Sequence, residues 1–212
     1  MVSQAERRAN TRKAILTAAE DLFGQHGFAA TTVDGIAAAA GVAKGAVYHH
    51  FATKENVFEA VFEATSEALV QRVVAASTQA KDALDGMVVG SRAYFTACAE
   101  ARTGRIILQD GPAVLGWERW REIDARHFGR MIPMALDAAM AQGLIANQPV
   151  PPLARLLLGA VTEAAVASAG AADPARTGLD HVRALETVLT GLRMRRAPAR
   201  GAKPGGPVDR DR

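Results

Sequence analysis

Apolar positions recur at helical spacing from residue 15 to residue 192, in runs separated by short polar or glycine-containing breaks. Ile15, Ala18, Ala19, Leu22 and Phe23 fall at intervals of 0, 3, 4, 7 and 8 and form one core-facing stripe. That stripe predicts a helix over residues 11–26, closed by Gly27. Val33, Ile36, Ala37 and Ala40 repeat the pattern over 33–40. Thr32 stands in front as a hydroxyl cap, and Gly41 follows where a helix ends readily in the left-handed conformation. A third, short helix is predicted from residue 44 to 49 or 50. A fourth runs from 54 to near 79, with Val57, Phe58, Val61, Phe62, Thr65, Ala68, Leu69 and Val73 on its inner face. A fifth follows Lys81, and a short sixth covers 102–108. Asp110-Gly111-Pro112 opens a long helical run to Gly143, which Pro133 should kink or divide. After a turn at 147–152, two further helices are predicted over 153–169 and 178–193. Sustained period-two alternation of β-branched residues is missing, so the expected fold is all-α with about nine helices.

Composition changes this picture little, but the placement of charge changes it more. The 212 residues are 49% hydrophobic and only 5% aromatic, which suits closely packed, alanine-rich helices. Residues 1–54 carry six Lys+Arg against four Asp+Glu, residues 55–192 carry 12 against 16, and residues 193–212 carry seven against two. A basic N-terminal unit on an acidic body fits a protein that meets DNA at one end. Residues 1–9 are a polar arm with Arg7 and Arg8, read either as a minor-groove or phosphate-tracking arm or as a solvated start. Arg12 and Lys13 would lie at the start of the first helix, the unfavourable end for a cation. A nearby phosphate would explain them. The Pro/Gly/Arg-rich tail at 195–212 is expected to be disordered. Cys98 is the only cysteine and reads as a buried, inert thiol. The basic start lacks a signal-peptide pattern, and Glu163 interrupts the longest apolar run, so no membrane span and a cytoplasmic location are expected.

The chemistry that remains points to nucleic acid. Residues 31–54 read TTVDGIAAAAGVAKGAVYHHFATK, two short helices joined at Gly41 with Val42 plugging the corner. In the second helix Lys44 can reach a phosphate or a guanine edge. Gly45 suggests a close approach, and Tyr48, His49 and His50 place a ring and several donors on one short segment. Val47 and Phe51 would hold that helix to the core. Thr53 can cap the next helix, whose N-terminus with Lys54 would attract a phosphate. Gly-rich phosphate loops, GxSxG and metal-spaced Cys/His clusters are missing, so neither a catalytic residue, a metal nor a cofactor is expected. Glu118 and Glu122 share a helical face while Asp124 points elsewhere. With Arg119, Arg121 and Arg126 interleaved, they compose a salt-bridged solvent face.

The matching positions Thr32, Ile36, Ala37, Ala40, Gly41, Val42, Gly45, Tyr48, Phe51, Lys54 and Glu55 make this stretch resemble the DNA-binding domain of the tetracycline-repressor (TetR) family. The sequence departs from the usual pattern at Ala43 and Ala46, where hydroxyl residues are common. The resemblance implies an all-helical homodimer with a three-helix DNA-binding domain, here residues 1–54. It also implies a larger ligand-binding and dimerisation domain, here 55–194. It implies further that displacement of the fourth helix alters the distance between the two recognition helices, and that the regulated genes are often neighbours. DNA-contacting residues are then expected at Thr32, Lys44, Gly45, Ala46, Tyr48, His49, His50 and Lys54, on a near-palindromic double-stranded operator. Phe62, Met87, Tyr94, Ile107, Trp117, Trp120, Phe128 and Met131, with Met134, pack an ordinary core or line a cavity for a hydrophobic small-molecule inducer. The small-residue surface of 153–169 (Gly159, Ala160, Ala164, Ala167, Ser168) and the stripe Val182, Leu185, Leu189 and Leu192 are expected to pair with a second copy. The expected function is a ligand-released repressor. Two other readings stay open: an activator or a regulator that needs no ligand, and a helical enzyme or binding module whose helix-turn-helix is incidental.

Overall fold

A computed structural model describes residues 3–194. The expected basic tail, 195–212, and the first two residues of the arm lie outside the described residues. The described residues form α-helices α1 (Gln4–Ala30), α2 (Val33–Ala40), α3 (Lys44–His50), α4 (Lys54–Ser77), α5 (Ala83–Cys98) and α6 (Ala101–Gly104). A π-helical segment over Arg105–Asp110 follows, then α7 (Gly111–Leu115), α8 (Trp117–Phe128), α9 (Met131–Ala141), α10 (Val150–Ala169) and α11 (Pro174–Leu192). Extended pairing among the described residues is limited to one bridge between Ile145 and Arg193.

The caps explain most boundaries. Thr32 accepts from the Gly35 N–H at 3.0 Å and Thr53 from the Asn56 N–H at 3.2 Å. Gly41 adopts φ 66°, and the Val42 N–H reaches back to the Ala37 carbonyl at 3.0 Å, which closes α2 and turns the chain into α3. The two largest differences from the sequence reading lie in α1 and after Asp110. First, α1 begins at Gln4 rather than at residue 11. Ser3 and Glu6 form a reciprocal capping box, with the Glu6 N–H on Ser3 Oγ at 3.1 Å and the Ser3 N–H on the Glu6 carboxylate at 2.6 Å. The residues of the arm from Gln4 onward are therefore helical, and Arg12 and Lys13 sit two turns in, away from the positive end of the helix dipole. Second, the long run after Asp110 is three segments. Gly116 at φ 76° separates α7 from α8, and the Gly129–Arg130 corner separates α8 from α9. Pro133 lies in the first turn of α9, where its missing N–H breaks no helical bond.

Two regions of one continuous core fix the rest. Ile15, Ala19, Phe23, Ile36, Val47, Phe51 and Phe58 pack α1–α3 onto the start of α4. Phe23, Phe28 and Phe58 form a ring cluster with centroids 5.2 to 5.8 Å apart. Further along, Phe62 and Leu69 of α4 join Leu84, Phe95, Ile106, Trp120, Ile123 and Leu136. Thus α4 belongs to both regions. The π segment locks the body to α1. Arg105 donates to the Gln25 carbonyl, and the Asp110 carboxylate accepts from the Phe28 N–H at 2.8 Å.

Candidate DNA-binding surface and ligand cavity

The N-terminal surface presents α3 almost bare. Lys44, Gly45, Tyr48 and His49 are exposed, Ala46 and His50 half-buried, and Tyr48 keeps 48% of its surface in solvent. Val47, by contrast, is fully buried and holds the helix down. A Cβ placed on Gly45 would meet nothing within 4 Å, so glycine there leaves room for an outside group rather than for a packed neighbour. Lys44 pairs with Asp34 of α2 at 2.9 Å. The pair is exposed and weak enough for a phosphate to displace the carboxylate. Thr32 spends its acceptor on the cap, while its hydroxyl proton stays available to a phosphate. Ala43 offers α3 no side-chain cap. Burial holds the His50 imidazole below its usual pKa, and His49, Arg8 and Arg12 push it further the same way. The first turns of α1 therefore bring basic residues up to the end of α3, with Arg12 stacked 5.2 Å from the centre of the Phe51 ring.

Lys54 departs from expectation. Its ammonium donates to the Phe28 carbonyl at 2.9 Å and the Thr31 carbonyl at 3.0 Å, and lies 4.0 Å from the centre of the Phe28 ring. Two of its three N–H donors thus tie the start of α4 to the end of α1 instead of standing free for a phosphate. Lys54→Ala is expected to destabilise the protein by about 1–2 kcal/mol, because two carbonyls lose a charged donor. The slope of log affinity against log salt should stay within about half a unit of the wild type. Salt titrations showing a drop of a full unit would return Lys54 to the phosphates.

The C-terminal body holds a cavity of about 650 Å³ bounded by α4, α5, α8, α9, α10 and α11. Met87, Tyr94, Phe128 and Met131 line it, as does Met134. Phe62, Ile107 and Trp120 do not. They are 1 to 2% exposed and fill the core beside the π segment, where the Trp120 indole N–H donates to the Ile107 carbonyl at 3.1 Å. Trp117 lies outside the cavity, 56% exposed and tilted against Trp120. One lining residue that sequence reasoning passed over is Asp124 of α8. Burial pushes its carboxyl up to about 6, only partly opposed by Arg121. Tyr94 and Cys98 are also raised by burial, Cys98 to about 12, so its thiol is neutral and unreactive, as expected.

The opposite face of α8 meets α4. Arg119 donates through Nε to Glu59 at 2.9 Å and through a terminal nitrogen to Glu122 at 2.7 Å; Arg126 reaches Glu63 at 2.6 Å. The expected salt-bridged face thus exists, but it joins two helices rather than facing solvent alone.

On α11 the expected pairing stripe is largely internal: Val182 and Leu189 are fully buried in their own subunit, with Leu185 and Leu192 half-buried. The apolar side chains left in solvent are Leu156 and Val166 of α10 and Leu179 and Val188 of α11. Gly159, Ala160 and Ala167 lie exposed on the same stretch of α10, whereas Ser168 is buried and Ala164 half-buried. Helix α10 is also long and apolar enough to cross a membrane by length and composition, with 17% of its apolar window buried. Glu163 lies exposed within it.

A bare second helix of a helix-turn-helix, set on a long helical body, defines a DNA-binding regulator. The chain belongs to the TetR family. Residues 15–61 match the model for bacterial regulatory proteins of the tetR family, and residues 84–192 match a tetracyclin repressor-like C-terminal domain. A TetR-family transcriptional regulator from Pectobacterium atrosepticum is 32% identical, with a TM-score of 0.79 over 91% of this chain and 98% of that one. The transcriptional repressor KstR2 of Rhodococcus jostii is 32% identical over 106 residues, 49% of this chain and 50% of its own. The repressor AcnR of Corynebacterium glutamicum is 38% identical over 60 residues, 28% of this chain and 32% of its own. The chain thus matches half or less of the length of these curated relatives.

Proposed function

We propose that this DNA-binding regulator is a homodimeric repressor that leaves a near-palindromic operator when an apolar small molecule enters the cavity of the C-terminal body. The observation that carries the reading is the two-sidedness of α8. Its inner face lines the cavity through Asp124 and Phe128, and its outer face is ion-paired to α4 through Arg119 and Arg126. Helix α4 begins at the DNA-binding unit, so a ligand that shifts α8 bears on the placement of α3. A ligand that binds better to the shifted arrangement is sufficient for release. Repression is supported by the likeness to KstR2 and AcnR, which are transcriptional repressors.

Dimerisation through the exposed apolar faces of α10 and α11 supports the same reading. Covering Leu156, Val166, Leu179 and Val188 against a second copy removes them from water and explains why an apolar helix is so little buried. Lys44, Tyr48 and His49 of each copy would enter successive major grooves about one turn, ~34–36 Å, apart, with Thr32, His50, Gly45 and Ala46 close to the DNA backbone or base edges.

The test is a thermal-shift screen of apolar compounds followed by operator binding at saturating ligand. Hits are expected to lower operator affinity by about five- to 150-fold, the usual range of such coupling. Arg119→Ala/Arg126→Ala should leave stability within about 1 kcal/mol, because its ion pairs are near the surface. It should keep operator and ligand affinities but shrink the ligand's effect on operator affinity several-fold. Hits that stabilise the protein without altering operator affinity would overturn ligand release.

A further inference from the structure

The cavity wall is apolar except for a few groups, and those groups are not equivalent. Ser77 is satisfied by the Val73 and Gly86 carbonyls, at 2.9 and 3.2 Å. Asp82 is neutralised by Arg193 at 2.8 Å. Lys81 is exposed at the rim. Asp124 is different: it is half-buried in the apolar wall, and no hydrogen bond or ion pair to it forms among the described residues. Arg121, one turn back on the same helix, lies over the Trp117 ring, 5.5 Å from its centre. A carboxylate so placed costs free energy unless a partner arrives.

Aromatic and thioether side chains share the cavity wall with Asp124. Tyr94 and Phe128 line the same cavity, their rings edge-to-face with centroids 5.6 Å apart. Aromatic faces attract cations through their quadrupole, most strongly where water is excluded. Met87, Met131 and Met134 add soft, adaptable surface for an irregular apolar body. A ligand of this chemistry replaces the missing partner of Asp124 and buries its hydrocarbon in one step.

We propose that the cavity selects lipophilic cations, the positive charge paired with Asp124 beside the Tyr94–Phe128 ring pair. The inference rests on the cavity being the ligand site, and it adds the sign of the ligand's charge. Above pH 7 the carboxylate is ionised and available. As the pH falls through about 6 it takes up a proton, and cation affinity declines. Of the other groups facing it, Tyr94 and Cys98 of α5, both raised by burial, stay neutral over that range; the cations nearby are Arg121 on its own helix, Lys81 at the rim and Arg193, which is paired with Asp82.

Tetraphenylphosphonium and tetraphenylborate have nearly the same size and shape and opposite charge, and N-phenyl-1-naphthylamine is a neutral reference. Calorimetric titrations of the full chain at pH 8 are expected to show phosphonium binding at least about tenfold more tightly than borate. Asp124→Asn should lower phosphonium affinity by a similar factor, leave naphthylamine binding unchanged and abolish the loss of phosphonium binding below pH 6. Its melting temperature at pH 8 should equal or exceed that of the wild type, because an ionised carboxylate has left an apolar wall. Borate binding as tightly as phosphonium, or phosphonium affinity indifferent to Asp124→Asn, would overturn the charge selection while naphthylamine binding upholds the cavity. If none of the three probes binds, or if Ala135→Trp, which fills the wall, leaves naphthylamine binding intact, the cavity is not the ligand site and both readings fall.

Discussion

Trp120→Ala is expected to destabilise the protein by about 3–5 kcal/mol, the range for removing a large buried aromatic and leaving a cavity. Trp120 is 2% exposed and is among the largest side chains fully buried in the body. It packs beside Gly111, where an added Cβ would come within 2.8 Å of the Phe62 ring and 3.1 Å of Trp120 itself. The contact is therefore tight from both sides and cannot collapse cheaply. Trp120→Phe separates volume from hydrogen bonding: the ring remains, but the Ile107 carbonyl loses its indole donor, at a cost of about 1–3 kcal/mol. Urea unfolding at fixed protomer concentration reads both. Naphthylamine affinity should be unchanged in Trp120→Phe. A variant that folds as stably as the wild type but binds the probe differently would place Trp120 at the ligand.

The second large effect lies at the other end. Tyr48→Ala is expected to lower operator affinity about ten- to 100-fold, the loss of one good contact worth about 1–3 kcal/mol. Melting temperature, dimerisation and probe binding should stay as they are. Labour is divided within α3: Val47 is buried and fixes the helix, while Tyr48 keeps 48% of its surface in solvent. Circular dichroism and sedimentation check the fold. Loss of helicity in Tyr48→Ala would make Tyr48 a packing residue, and undiminished operator affinity would remove it from the interface.

How much of this was legible in the sequence depended on whether local chemistry or tertiary packing decides. Thr32, Gly41 and Thr53 set their helix ends by bonds to residues one turn away, so the helix-turn-helix could be read directly. The start of α1 was equally local, in Ser3 and Glu6, but the polar composition of the arm obscured that box. Core and cavity were not separable. Phe62, Ile107 and Trp120 have the same apolar character as Met87, Tyr94 and Phe128, and only the packing of α8 against α4 and the π segment divides them. Lys54 illustrates the same limit for charge. A lysine at a helix N-terminus suits a phosphate, yet the turn at Phe28–Thr31, brought near by tertiary structure, offers two carbonyls first. Asp124 was legible in part: its helical phase sets it off the face of Glu118 and Glu122, but what it faces emerges only when α5, α9 and α10 close around it.

The most direct test of the central claim is a fluorescence-anisotropy titration of the full chain against labelled DNA from immediately upstream of its coding region. It is run at two salt concentrations with scrambled competitor. Binding on the order of nanomolar that persists against competitor, and that Tyr48→Ala weakens, is the predicted result. Weak, steeply salt-dependent binding that scrambled DNA displaces, with Tyr48→Ala indistinguishable from the wild type, would contradict it.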